Sequence, residues 1–151
     1  MRGLELFAGV GGMSLGMEIG FGQDYECAAF VERDPYCTKV LKKNWKDVPV
    51  YGDIKEFNYE KERSKIGEID IVLGGFPCQP WSGAGKRKGS EDDRDLWPEM
   101  LRVIKSLTPK ARWIIGENVQ GFVNMEMGIS RTVADLEDAN YQVQTFVFGA
   151  V

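Results

Sequence analysis

The chain has 151 residues, 43% of them hydrophobic and 28% charged, with a formal net charge of −4. That suits one globular domain with one core, and any grip on nucleic acid needs a local basic patch or a basic partner. The absence of histidine removes histidine-based zinc sites, the Ser-His-Asp triad and the Cys-His thiol protease together. Along the chain, GLELF reads as a short strand, AGVGG as a turn and MSLGMEIGF as a helix. ECAAFVE is a second strand, and PYCTKVLKKNW a helix with Pro35 in its first turn. VPVYGDI is a short third strand, EFNYEKERSKIGE contains a helix, and IDIVLGG is the fourth strand. DLWPEMLRVIKSL is a helix with Trp97, Leu101 and Ile104 on one face, followed by ARWIIGENV as a fifth strand. ISRTVADLEDA is helical with Ile129, Val133 and Leu136 aligned, and YQVQTFVFGAV is read as a sixth strand.

Apolar strands alternating with amphipathic helices imply an α/β fold: a doubly wound, mostly parallel sheet with helices on both faces. No apolar run approaches the roughly 20 residues of a membrane span, and the N-terminus lacks a secretory pattern. Cys27, Cys37 and Cys78 form no C-x-x-C pair, so the expected setting is reducing and cytoplasmic. Residues 82–95, SGAGKRKGSEDDRD, read as a long loop, a feature usually functional or mobile within a compact domain.

Gly9, Gly11 and Gly12 stand between the first strand and its helix. Glycines there allow a tight turn and close approach to a nucleoside, with free N–H groups at the helix start. Glu32 ends the second strand about 20 residues further on, where such folds place an acid on ribose hydroxyls. Asp53 and Ile54 end the third strand at the same sheet edge, suited to an adenine amino group and ring. The spacing G-x-G-G is not the full dinucleotide pattern, which disfavours NAD. The plainer reading makes the glycines a tight turn and both acids helix caps.

Cys78 and Glu117 each follow an apolar strand and so belong to that same edge. A thiol and a carboxylate converging beside a nucleotide cofactor suggest nucleophilic attack with acid assistance; coincidence is the alternative. LELFAGVGG, the acid of FVERD, GDI, GGFPCQPWS and GENV, in this order, resemble the successive motifs of the DNA (cytosine-5) methyltransferases over essentially the whole chain. DRDLWPEMLRVI resembles that family's helix after its catalytic loop.

The resemblance implies the Rossmann-like methyltransferase fold and transfer of a methyl group from S-adenosylmethionine to a flipped cytosine, leaving S-adenosylhomocysteine. Cys78 would add to carbon 6 and Glu117 would hold ring nitrogen 3. It places Phe7, Gly9, Gly11, Gly12, Glu32, Arg33, Asp53, Ile54, Pro77 and Leu96 around the cofactor. Gln79, Ser82, Lys86, Arg87, Asn118 and Val119 are placed toward the DNA substrate, and no metal is implied. Asn118 and Val119 would also fix the strand end that carries Glu117. Arg33 admits two readings, a guanidinium stacked on adenine or a solvent-facing charge. Lys86, Arg87 and Lys88 likewise read either as a phosphate-touching lid or as a solvated cluster. Trp81, Trp97 and Trp113 are expected in the core or at its rim.

Family members continue past this point into a glutamine-arginine-rich motif, a target-recognition region and a segment that completes the cofactor pocket. Residues 1–151 are therefore expected to form a partial catalytic domain with little or no activity alone, completed by a complementary polypeptide or by self-association. An RNA cytosine-5 methyltransferase and a non-catalytic cofactor-binding subunit are the alternatives.

Overall fold

The computed structural model describes residues 1–77, 95–123 and 128–149. Its strands are Arg2–Leu6 (β1), Glu26–Val31 (β2), Val50–Tyr51 (β3), Ile71–Gly74 (β4) and Trp113–Gly116 (β5). They form one sheet in the order β3-β2-β1-β4-β5, every neighbouring pair parallel. The helices are Gly12–Phe21 (α1), Pro35–Asn44 (α2), Tyr59–Ile66 (α3), Trp97–Ser106 (α4), Gln120–Val123 (α5) and Gly128–Asp138 (α6). The chain winds outward from β1 through β2 to β3, then returns to add β4 and β5 on the other side. The direction of winding reverses between β1 and β4, the position at which open α/β sheets take their ligands.

Local chemistry starts and stops these helices. Asp34 caps α2 by accepting hydrogen bonds at Oδ1 from the amides of Tyr36 and Cys37, both at 2.9 Å, and Pro35 opens the first turn. Asn58 caps α3 by accepting from the amide of Lys61 at 3.2 Å. On α4, Trp97, Met100, Val103 and Ile104 are buried, the spacing of a helix with one apolar face.

Two apolar layers flank the sheet. Leu4, Leu6 and Val72 pack with Phe76, Trp97, Met100 and Ile104 in the larger core. Phe30, Ile71 and Leu73 face the opposite layer with Leu41, Tyr25 and Cys27. The expected doubly wound parallel sheet is present. Trp97 is buried, with its indole N–H donating to Asp135 at 2.7 Å, whereas Trp113 is 60% exposed on the outer edge of β5. Trp81 lies outside the described residues.

Two readings of the sequence need correction. The third strand shrinks to Val50–Tyr51, because the chain leaves the sheet at Gly52 and turns through Asp53. The expected sixth strand does not form over residues 141–149. That segment docks through side chains: the Tyr141 hydroxyl donates to the Ala111 carbonyl at 2.9 Å, and Lys110 Nζ lies 3.7 Å from the Tyr141 ring centroid. A groove of about 510 Å³ lined by Arg112, Trp113, Gln142 and Gln144, among others, accompanies this side-chain docking. Phe146, Val147 and Phe148 stay 64%, 69% and 83% exposed.

Gly11 closes the turn into α1 with φ 85°, and a β-carbon there would meet the Trp45 ring at 2.7 Å. Gly11→Ala is expected to lower folding stability by roughly 1–3 kcal/mol through strain and overpacking. A urea titration checks this; an unchanged midpoint would mean that Trp45 yields without cost.

Candidate active site

Strand register aligns the candidate residues before any side chain is considered. Tyr51 is paired with Val31, Val31 with Leu6, Leu6 with Gly74, and Gly74 with Gly116. The residues that follow that row are Gly52, Glu32, Phe7, Gly75 and Glu117. The five strands thus stop together, and their next residues line one carboxyl edge.

Phe7 sits there with φ 54°, a left-handed conformation that an L-residue bearing a bulky side chain seldom adopts. Such strain, of order 1–3 kcal/mol, collects at functional sites. Gly9, at φ 53°, continues the turn, and its amide donates to Glu32 Oε2 at 2.7 Å. Glu32 Oε1 accepts from the amide of Asp34, also at 2.7 Å. Glu32 is therefore no helix cap; its carboxylate ties the glycine turn to the start of α2. Each of its oxygens keeps a lone pair for a further donor. Asp53 accepts at Oδ1 from the amide of Lys55 at 2.9 Å, folding its own turn. Its Oδ2 lies 3.9 Å from Arg33 Nη1, whose side chain is 72% exposed, a surface contact of small energetic weight.

Ile54 is buried in the larger core, as is Leu96, which stands just before α4. Pro77 is half-buried. Cys78, Gln79, Ser82, Lys86, Arg87 and Lys88 lie outside the described residues.

Glu117 begins where β5 ends, and its amide donates to the Gly74 carbonyl at 3.0 Å. Its carboxylate reaches over β4: a β-carbon on Gly75 would lie 3.3 Å from Glu117 Oε2. Asn118 locks this corner, donating from Nδ2 to the Phe76 carbonyl at 3.1 Å and accepting at Oδ1 from the Val119 amide at 2.9 Å. Phe76 is itself packed on Trp97 and Phe122. Glu117 thus points at the backbone that leads into Cys78, three residues beyond Gly75. Val119 is 50% exposed beside it.

The sequence reading passed over Glu5. Side chains alternate along β1, so Leu4 and Leu6 enter one core while Glu5 faces α1. It is 2% exposed and accepts at Oε2 from the Ser14 amide at 2.9 Å. A buried carboxylate thus occupies the first turn of α1, where a dinucleotide fold would present its amides to phosphate. The signal in the sequence was a lone acid inside an apolar strand, which burial makes costly without donors. Ser14 Oγ lies 3.1 Å from the Tyr25 hydroxyl and donates to Cys27 Sγ at 3.5 Å. Burial pushes the Cys27 thiol up to about 12, and desolvation, then Asp34, raises that of Cys37. Neither is a ready thiolate.

Glu32, Asp53 and Glu117 give this edge a carboxylate after three of its five strands. Such a surface suits a cationic ligand and repels a polyphosphate. Among the described residues, no three His, Cys, Asp or Glu side chains gather as a metal-ligand group, and no helix is long and apolar enough to cross a membrane.

An open parallel α/β sheet with a glycine turn and an acid at its reversal point defines the Rossmann-like class of nucleoside-binding enzymes. The chain belongs to the C-5 cytosine-specific DNA methylase family, whose model matches residues 1–151. It is 40% identical over 131 residues to the type II methyltransferase M.AquIA of Picosynechococcus, covering 83% of this chain and 51% of that one. It is 41% identical over 123 residues to M.NgoMIV of Neisseria gonorrhoeae, covering 80% of this chain and 36% of that protein. The chain therefore spans about half or less of these relatives' length. A crystal structure of a Spodoptera frugiperda DNMT2 mutant superposes with a TM-score of 0.71 at 26% identity, over 92% of this chain and 41% of that one. S. pombe Dnmt2, at 21% identity and a TM-score of 0.72, shares the fold.

Burial holds the folded Glu5 carboxyl above its ordinary value of 4.5, with the Ser14 and Met13 hydrogen bonds pulling the other way. Over that interval the folded state keeps a proton the unfolded chain has lost, so Glu5's contribution to stability declines as pH rises from about 4.5 through the folded value. Glu5→Gln is expected to flatten this decline in urea midpoints measured across acid pH; an unchanged slope would assign it to other groups. Gly75→Ala is expected to push the Glu117 carboxylate off its position with little loss of stability, read as a moved Glu117 side-chain resonance and an unshifted thermal midpoint. An unmoved resonance refutes the contact.

Proposed function

We propose that residues 1–151 carry the cofactor-binding and catalytic part of a DNA cytosine carbon-5 methyltransferase. The observation that carries this reading is the register row, which lines up the Phe7–Gly12 turn, Glu32, Gly75 and Glu117 at one edge. S-adenosylmethionine fits that edge: its ribose can donate to the free lone pairs of Glu32, its adenine amino group to Asp53, and its sulfonium charge is met by carboxylates. When bound, it supplies an electrophilic methyl group.

The protein's own residues would do the rest. The Cys78 thiolate forms a bond to cytosine carbon 6, which moves electron density to carbon 5 and makes that carbon nucleophilic. Glu117 holds ring nitrogen 3 and shares a proton with it, stabilising the charge that develops there. Carbon 5 would take the methyl group as its bond to the cofactor sulfur breaks, then give up its proton to water, and the returning electron pair would break the bond to Cys78 sulfur. Carbon 6 is inaccessible in a stacked duplex, so the base must leave the helix. Lys86 and Arg87 in the following loop would meet DNA phosphates, with Gln79, Ser82, Asn118 and Val119 around the base.

The exposed outer edge of β5, with Trp113 60% and Ile115 43% exposed, supports completion by a further polypeptide or a second copy. Light scattering that shows a monomer at every concentration would count against this. The same reading places the chain in the cytoplasm of a bacterial cell.

Calorimetric titration with S-adenosylhomocysteine should give binding that Glu32→Ala weakens about tenfold or more, and that Cys78→Ser leaves intact. Transfer of tritiated methyl to duplex DNA, once the completing polypeptide is supplied, should vanish in Cys78→Ser. Transfer to tRNA and not to DNA would move the substrate to RNA, and no binding of S-adenosylhomocysteine would remove the cofactor assignment.

A further inference from the structure

We propose that Arg102 is a positioning residue for base recognition in the cofactor pocket, acting from α4 through the loop that carries Asp53. This rests on the S-adenosylmethionine reading above and adds to it a residue that touches no ligand. Arg102 Nη2 donates to the Ile54 carbonyl at 2.6 Å, and Nη1 donates to the Phe57 carbonyl at 3.0 Å. Its Nε donates to Glu99 Oε2 at 2.7 Å, one turn earlier on α4. Every nitrogen of the guanidinium is thus assigned, and a planar fork with both ends held has little freedom to turn.

The loop it grips needs such a hold. Residues 53–57 make a short turn in which the Asp53 carbonyl accepts from the amides of Glu56 and Phe57, at 3.0 and 3.1 Å. The carbonyls of Ile54 and Phe57 both accept from α4. Ile54 and Phe57 anchor the turn by their buried side chains, which sets its depth. The clamp sets its rotation about the end of β3, and with it the direction in which the Asp53 carboxylate points. Lysine carries its donors on one nitrogen and lacks the planar fork that spans both carbonyls, and the Ile54 carbonyl would then keep only the Phe57 amide at 3.2 Å.

Helix α4 begins at Trp97, directly after the segment that contains Cys78. Arg102 therefore ties the position of that helix to the part of the pocket that reads adenine. A movement of α4 would be felt at Asp53.

The test compares S-adenosylhomocysteine with S-inosylhomocysteine, in which a carbonyl oxygen replaces the adenine amino group. Calorimetry on the chain should show roughly tenfold or greater preference for the adenine compound, and Asp53→Asn should erase it. Arg102→Met is expected to reduce the preference to less than about threefold, and Arg102→Lys to an intermediate value. A helix staple with no part in recognition would lower the thermal midpoint and leave the ratio of the two affinities unchanged; that result overturns the proposal. Should Arg102→Met fail to fold, Arg102→Lys decides alone, and an unaltered ratio in it also overturns the proposal. A wild-type chain that binds both compounds equally removes the role of Asp53 and Arg102 but keeps the cofactor. One that binds neither removes the cofactor reading itself.

Discussion

A buried carboxylate held by the first turn of a helix is the contact on which the ligand edge depends. Glu5 leaves β1 on the side away from the leucine core and accepts from the amide of Ser14. Moving an anion out of water is costly, and the donors aimed at it offset part of that cost. The amides of a helix start are such donors. The result fixes α1 against β1, and the turn of Phe7 to Gly12 is stretched between those two fixed points. Its left-handed residues are then a consequence of geometry as much as of glycine content.

Glu32 works from the other side of that turn. By accepting from Gly9 and from Asp34, it connects the first and second crossovers before any ligand arrives. A ribose that bonded to it would add donors to an anion already in place, so little ordering would be needed on binding. The corner at β4 and β5 follows the same logic. Asn118 joins the two strand ends, and Glu117 lies over Gly75 because no side chain stands there.

Much of this was legible in the sequence. The alternation of apolar strands with amphipathic helices pointed to six strands, of which five form, to their parallel arrangement and to the edge along which Glu32 and Glu117 both lie. Register does the rest, since strands of unequal length stop in one row at Tyr51, Val31, Leu6, Gly74 and Gly116. What stayed hidden were contacts between residues distant along the chain. Arg102 and the Ile54 carbonyl, or Glu5 and the start of α1, are partners that no periodicity reveals. Residues 141–149 misled for a different reason. Their composition suits a strand, but a strand exists only when a neighbour supplies its hydrogen bonds, and Tyr141 docks by its hydroxyl instead.

The smallest residue of β1 sets a limit on how this chain can vary. A β-carbon on Gly3 would stand 2.6 Å from Tyr25 Cε2, inside the ring's own volume. Tyr25 crosses the strand at that gap, and its hydroxyl reaches Ser14. Substitution at either position therefore has a permitted order: the ring must shrink before position 3 can grow. A mutational path that enlarges position 3 first passes through a molecule whose ring is displaced from Ser14, so that drift at the quiet end of the sheet is read at the ligand end.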